Sequence, residues 1–162
     1  MARSILFVCT GNVFRSVVAE YAVRAQIGSH DQYLVESAGI EAKPQSIHPV
    51  IRLRLLQKGA DPSAHVQQKL TQELIQRIDL IIAMGEDHQK FIQRRFGRTV
   101  PLFYEVSHGN VAPILDLHEA LPDWEDNLDR AREYVESVVD HIWNAAPALV
   151  ARLPHFLRAE DR

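Results

Sequence analysis

Ile5-Leu6-Phe7-Val8-Cys9-Thr10-Gly11-Asn12-Val13-Phe14-Arg15-Ser16 is the stretch from which the rest of the chain can be read. Its apolar opening, Ile5 to Val8, runs straight into Cys-Thr-Gly-Asn. A short, continuous apolar run of this kind suits a strand of a parallel sheet covered on both faces, and Gly11-Asn12 marks a tight turn. From Ser16 to Gln26 the apolar residues Val17, Val18, Tyr21, Ala22 and Ala25 follow helical spacing, and Gly28 is a stop signal. Strand, turn and helix therefore follow one another directly.

The pattern repeats along the chain. Leu80-Ile81-Ile82-Ala83-Met84 is a second buried-strand run, ending at Gly85, with Tyr33-Leu34-Val35 and Val100-Pro101-Leu102-Phe103-Tyr104 as weaker strands. Pro101 pushes the last of these to a sheet edge. Helical spacing recurs over Pro49–Lys58, Leu70–Ile78, Glu86–Phe96 and Asn127–Trp143, and a further helix is expected from near Pro147. Strands alternating with helices imply right-handed crossovers and an open parallel sheet. The expectation is one α/β domain over residues 1–162.

Composition narrows the function classes. The chain has 162 residues, 46% hydrophobic and 24% charged, which is globular and excludes disordered or collagen-like classes. A net charge of -3 and a pI of about 6.2 argue against a nucleic-acid binder. No apolar stretch approaches the roughly 20 residues a membrane helix needs, and the N-terminal apolar run is too short for a signal peptide. Cys9 is the one cysteine, so no internal disulfide forms and a reducing, cytoplasmic setting is expected. Residues 116–140 hold nine acids against two arginines. Solvated helix faces account for most of them, and some acids are candidates for a catalytic loop.

The loop after the first strand carries the chemistry. It lies where open α/β sheets bind ligands, at a strand's carboxyl end. A loop entering a helix presents free backbone N–H groups and the positive end of the helix dipole. Gly11 and Asn12 tolerate the left-handed conformations that a tight cradle needs. A thiol at Cys9, beside a helix N-terminus and an arginine, is favoured as the nucleophilic thiolate. Arg15 offers a bidentate fork to two phosphate oxygens, and Ser16 is placed to donate to the sulfur. Cys-x5-Arg-Ser between strand and helix thus describes a phosphate cradle with a sulfur nucleophile, built from Thr10, Gly11, Asn12, Val13, Phe14, Arg15 and Ser16.

Val-Cys-Thr-Gly-Asn-Val-Phe-Arg-Ser resembles the signature loop of the low-molecular-weight protein tyrosine phosphatases and the related arsenate reductases. Ser37-Ala38-Gly39-Ile40, Ile47-His48-Pro49, Gly59-Ala60-Asp61, His65 and Asp79–Met84 are similar to further stretches of that family, so the likeness covers about residues 4–143. The resemblance implies a flavodoxin-like, three-layer α/β/α fold with a four-stranded parallel sheet. It implies hydrolysis of a phosphorylated protein or small aryl phosphate through a phosphocysteine at Cys9, without metal or other cofactor. It also implies an aspartate general acid, and the protein is expected as a monomer or weak dimer.

The sequence departs from that family at several positions. Phe14 stands where a second cysteine is usual, Val17 where proline is, and Gly85 and His88 replace an aspartate and an asparagine. With one cysteine no thiol relay exists within the chain, so arsenate reduction would need an external thiol. The family's Asp-Pro pair before the last helix is missing, because the only Asp-Pro here is Asp61-Pro62. Asp116 is the favoured acid, since it ends an apolar run, with Asp123 and Glu119 as the other candidates. The missing pair also keeps a third reading open, a phosphate- or phosphopeptide-binding module that lacks an efficient acid. The eight histidines, His30, His48, His65, His88, His108, His118, His141 and His155, show no metal-ligand spacing.

Overall fold

A computed structural model of the chain describes residues 2–29 and 32–161, so His30 lies outside the described residues. Strands β1 (Arg3–Cys9), β2 (Tyr33–Gly39) and β3 (Leu80–Ala83) form a parallel sheet in the order β2-β1-β3. Helices α1 (Arg15–Ile27), α2 (Pro49–Gln57), α3 (Gln72–Arg77), α4 (Glu86–Phe96), α5 (Phe103–His108), α6 (Leu117–Ala120) and α7 (Leu128–Glu160) cover its faces. Val8 is in register with Ala38 on one side and Ala83 on the other, which brings the carboxyl ends of all three strands together. The chain leaves β1 towards β2 and later returns to its other flank as β3. That reversal opens a crevice at the strand ends.

From Ile5 to Val8 the central strand is apolar because both of its faces are covered. Ile5, Phe7 and Cys9 point into a core with α1, α2, α5 and α7. Leu6 and Val8, at the alternate positions, point into a second core with Leu74 and Ile75 of α3 and Ile92 of α4. Each of these buried aliphatic or aromatic side chains contributes about 1.5–3 kcal/mol. A polar residue at any of them would consume a large share of a domain's net stability.

Two expectations are corrected. The sheet has three strands among the described residues, and the expected fourth is reduced to one parallel bridge between Ala83 and Leu102. Pro101 has no N–H to give a ladder, and its carbonyl accepts from Ala83 N at 2.9 Å. Leu102 N turns instead to Glu105 Oε1 at 3.2 Å, which caps α5 and takes Phe103-Tyr104 into a helix. The second correction concerns the C-terminal half, where one helix of 33 residues replaces the two expected. Pro147 and Pro154 lie seven apart on its exposed side, opposite Ala146, Leu149 and Leu153. The helix runs through both prolines without a break, since their rings lie on the solvent side and leave the core-facing side chains in place.

Candidate active site

The loop between β1 and α1 is shaped by Asn12, which is fully buried and adopts the left-handed conformation with φ 55°. Asn12 Oδ1 accepts from Gln68 N at 2.9 Å, and its carbonyl accepts from His65 Nε2 at 2.8 Å. Gly39 of β2 closes against the same loop. A Cβ there would lie 2.5 Å from the Thr10 carbonyl oxygen and 2.9 Å from Asn12 N, both backbone atoms that cannot swing away. Gly39→Ala is therefore expected to displace the loop. It should lower stability by about 1–3 kcal/mol and catalytic rate with it, read by urea unfolding and steady-state kinetics on one preparation.

Among the described residues, no backbone N–H of residues 10–15 donates to an acceptor within the chain. Successive free N–H groups at the start of a helix make a concave anion site. Cys9 Sγ sits in it, buried, 2.9 Å from Ser16 Oγ. The direction of that hydrogen bond follows from its neighbours. Asn12 Nδ2, which only donates, reaches Ser16 Oγ at 2.9 Å and Ser37 Oγ at 2.8 Å. Ser37 Oγ passes its own proton to Glu20 Oε1 at 2.6 Å. With the Ser16 oxygen already accepting, its proton is left for the sulfur. Glu20 ends this chain in the interior beside Arg24, 2.9 Å away. Burial pushes its carboxyl above the ordinary value, against the Ser37 hydrogen bond and the Arg24 charge.

Arg15 is 2% exposed. Its Nη1 donates to the Ile114 carbonyl at 2.8 Å, Nη2 lies 3.4 Å from Asp116 Oδ2, and Nη1 lies 3.7 Å from Glu119 Oε1. Two of the three acids considered from the sequence thus converge on the phosphate-loop arginine. Asp123 lies exposed one loop further on, with no contact to Arg15. Asp116 is the N-cap of α6, and Glu119 Oε1 accepts from Asp116 N at 2.9 Å, which fixes the backbone that carries Asp116. The Leu115 carbonyl beside it accepts from Tyr134 Oη. Phe14 is packed in the main core, and Val13 is partly exposed at the loop.

Sequence reasoning missed His88, although it had marked the position as unusual. His88 is fully buried at the third residue of α4. Gly85 N donates to its Nδ1 at 3.0 Å, and its Nε2 lies 2.9 Å from Thr10 Oγ1. Burial first, then the nearby Arg15 cation, lower its pKa from 6.5 to about 4, against Asp87 and Asp116. Between those values the unfolded chain binds a proton that the folded chain does not. Stability should therefore fall as pH drops from 6.5 towards 4, by up to about 3 kcal/mol from this group. Urea unfolding at pH 7 and pH 4.5 checks this, and an unchanged pH slope in His88→Gln would refute it.

Cys9, Ser16, Arg15, Asp116 and Glu119 thus lie around one loop at the strand ends, with Asp123 apart, and comparisons with known proteins identify the family. The family model for low molecular weight phosphotyrosine protein phosphatase matches residues 4–157. The chain is 36% identical over 93 residues to the low molecular weight protein-tyrosine-phosphatase Ptp of Acinetobacter johnsonii, covering 57% of this chain and 63% of that protein. It is 35% identical over 115 residues to a protein-arginine-phosphatase of Bacillus subtilis, covering 66% and 76%. Among solved structures, a mutant of the YwlE arginine phosphatase with a phosphorylated active site serine superposes with a TM-score of 0.79 at 27% identity, over 93% of this chain and 95% of that one. Fold, loop and matched length together put the chain in the low molecular weight phosphotyrosine protein phosphatase family.

Proposed function

We propose that the chain hydrolyses phosphate monoesters of the phosphotyrosine type through a phosphocysteine at Cys9. The observation that carries this reading is Cys9 Sγ, hydrogen-bonded by Ser16 at the head of a loop, residues 10–15, whose backbone N–H groups have no acceptor among the described residues. A phosphoryl group in the cradle would receive those N–H groups and the Arg15 fork on its non-bridging oxygens, where charge collects in the transition state. The Cys9 thiolate attacks phosphorus as the ester P–O bond breaks, and Asp116 in its acid form gives a proton to the leaving oxygen. The resulting carboxylate then takes a proton from water. That water attacks the phosphocysteine, the S–P bond breaks, and phosphate leaves with the thiolate restored. Ser16 favours this second step by stabilising the departing sulfur.

A second reading, phosphoarginine as substrate, has its own support. Beside Ile114 opens a hollow of about 480 Å3, with apolar Ile40, Phe91 and Leu115, the carboxylates Glu86, Asp87 and Glu119, and the cations Lys90 and Arg94 in its walls. Apolar walls suit a phenyl ring, and carboxylates suit a guanidinium. A Bacillus subtilis relative is named a protein-arginine-phosphatase. Arsenate reduction is less favoured, because Cys9 alone would have to rely on a thiol from outside the chain.

The test is hydrolysis of p-nitrophenyl phosphate near pH 6 with chelator and fresh reductant, followed by phosphotyrosine and phosphoarginine peptides at matched concentration. Vanadate-sensitive hydrolysis with chelator present is expected. A folded chain that binds phosphate but turns nothing over would sink the enzymatic reading and leave a binding module.

A further inference from the structure

His88 lies outside the reaction just described, yet it touches the loop residue next to the nucleophile. Its Nδ1 accepts from Gly85 N, so the single proton of the neutral ring sits on Nε2 and is aimed at Thr10 Oγ1, 2.9 Å away. Burial keeps the ring neutral over the working range, with its pKa lowered to about 4. The charged groups around it are Arg15 from α1, Asp87 of α4, 3.5 Å from Nε2, and Asp116 before α6. The Thr10 backbone is held as well, since its carbonyl accepts from Glu41 N at 2.9 Å. A threonine hydroxyl carries one proton. With His88 donating to its oxygen, that proton has to be given elsewhere, and among the described residues no acceptor in the chain takes it. Thr10 is partly exposed at the cradle, while Asn12, Arg15 and Ser16 are buried beneath it.

We propose that His88 is a positioning residue that, by donating to Thr10 Oγ1, turns the Thr10 hydroxyl proton into the cradle, where it donates to a phosphoryl oxygen in the transition state. The inference rests on the phosphatase reading of the loop, and it adds a side-chain donor, set by the turn after β3, to the backbone donors. The sequence offered no route to it, because the two residues stand 78 positions apart.

Kinetics on p-nitrophenyl phosphate, with inorganic phosphate as competitive inhibitor, test it in the whole chain. Thr10→Val and His88→Leu are each expected to lower kcat by about 10- to 100-fold, with far smaller changes in KM and in phosphate inhibition. Thr10→Ser, which keeps the hydroxyl, and His88→Gln, whose amide can accept from Gly85 N and donate to Thr10, should recover most of that loss. Because His88 acts through Thr10, the double variant Thr10→Val with His88→Leu should be no slower than Thr10→Val alone. A purely structural histidine predicts losses that multiply, and that result would overturn the proposal. So would a wild-type kcat in Thr10→Val, which decides the matter even if His88→Leu does not fold. An inactive wild type that fails to bind phosphate brings down the phosphatase reading and this inference together. An active wild type with an indifferent Thr10→Val brings down this inference alone.

Discussion

Replacing Cys9 by serine is expected to cut p-nitrophenyl phosphate turnover by roughly 10^4-fold or more, the scale on which enzymes lose rate when a nucleophile is removed. The substitution is close to isosteric at a site only 2% exposed, so the loss would not come from misfolding. Nor would it come from lost binding, because the N–H groups of residues 10–15 and the Arg15 guanidinium belong to other positions. What disappears is the sulfur itself. A neutral hydroxyl is a poorer nucleophile near pH 6, and oxygen leaves phosphorus less readily than sulfur in the second step. Phosphate or vanadate should still bind the variant, which equilibrium titration can measure. Turnover that persists in Cys9→Ser would rule out the phosphocysteine and redirect attention to direct attack by water.

Loop and central strand were legible in the sequence because their chemistry is local. Ile5 to Val8 is apolar at every position, as suits a strand with both faces covered, and Asn12 supplies the left-handed turn, while Gly11 does not adopt that conformation. The failures arise in two ways, from local capping and exposure that outweigh the expected pattern, and from contacts between distant segments. Val100–Tyr104 reads as a strand until Glu105 caps Leu102 N and turns the chain into a helix. Pro147 reads as a boundary until the helix is seen to carry both prolines on its wet side. Ser37, His65 and His88 give no local sign that they support Asn12 and Thr10, because each arrives from a distant part of the chain.

The acidic stretch 116–140 shows the same division. Glu136 and Asp140 pair with Arg54, and Asp140 also with Lys58, in a network that ties α7 to α2. Their role is structural. Asp123, Glu125, Asp126 and Asp129 are exposed. Only Asp116 and Glu119 turn inward to Arg15, and nothing in their spacing distinguishes them from the rest. The turn that brings them there is built by the Tyr134 hydroxyl on the Leu115 carbonyl and by Ile114 N donating to the Met84 carbonyl at 2.8 Å. The second of these ties the candidate acid's loop to the end of β3.

Asp116→Asn is expected to lower kcat on phenyl phosphate by about 10^2- to 10^3-fold, within the range for loss of a general acid. The loss on p-nitrophenyl phosphate should be much smaller. A p-nitrophenolate leaves without a proton, whereas phenolate needs one, so the gap between the two substrates reports proton donation itself. The substitution is mild for the fold, because asparagine is as good an N-cap as aspartate and α6 keeps its start. Glu119→Gln provides the contrast. A glutamine oxygen can still accept from Asp116 N, so the backbone under Asp116 stays fixed while the charge near Arg15 is removed. If Glu119 only positions Asp116, its glutamine variant slows both substrates by a similar, modest factor and keeps the wild-type dependence on leaving group. If the steep dependence instead appears in Glu119→Gln and not in Asp116→Asn, the glutamate is the acid and the aspartate is its scaffold. Asp123→Asn should leave both rates unchanged, since Asp123 lies outside the Arg15 cluster.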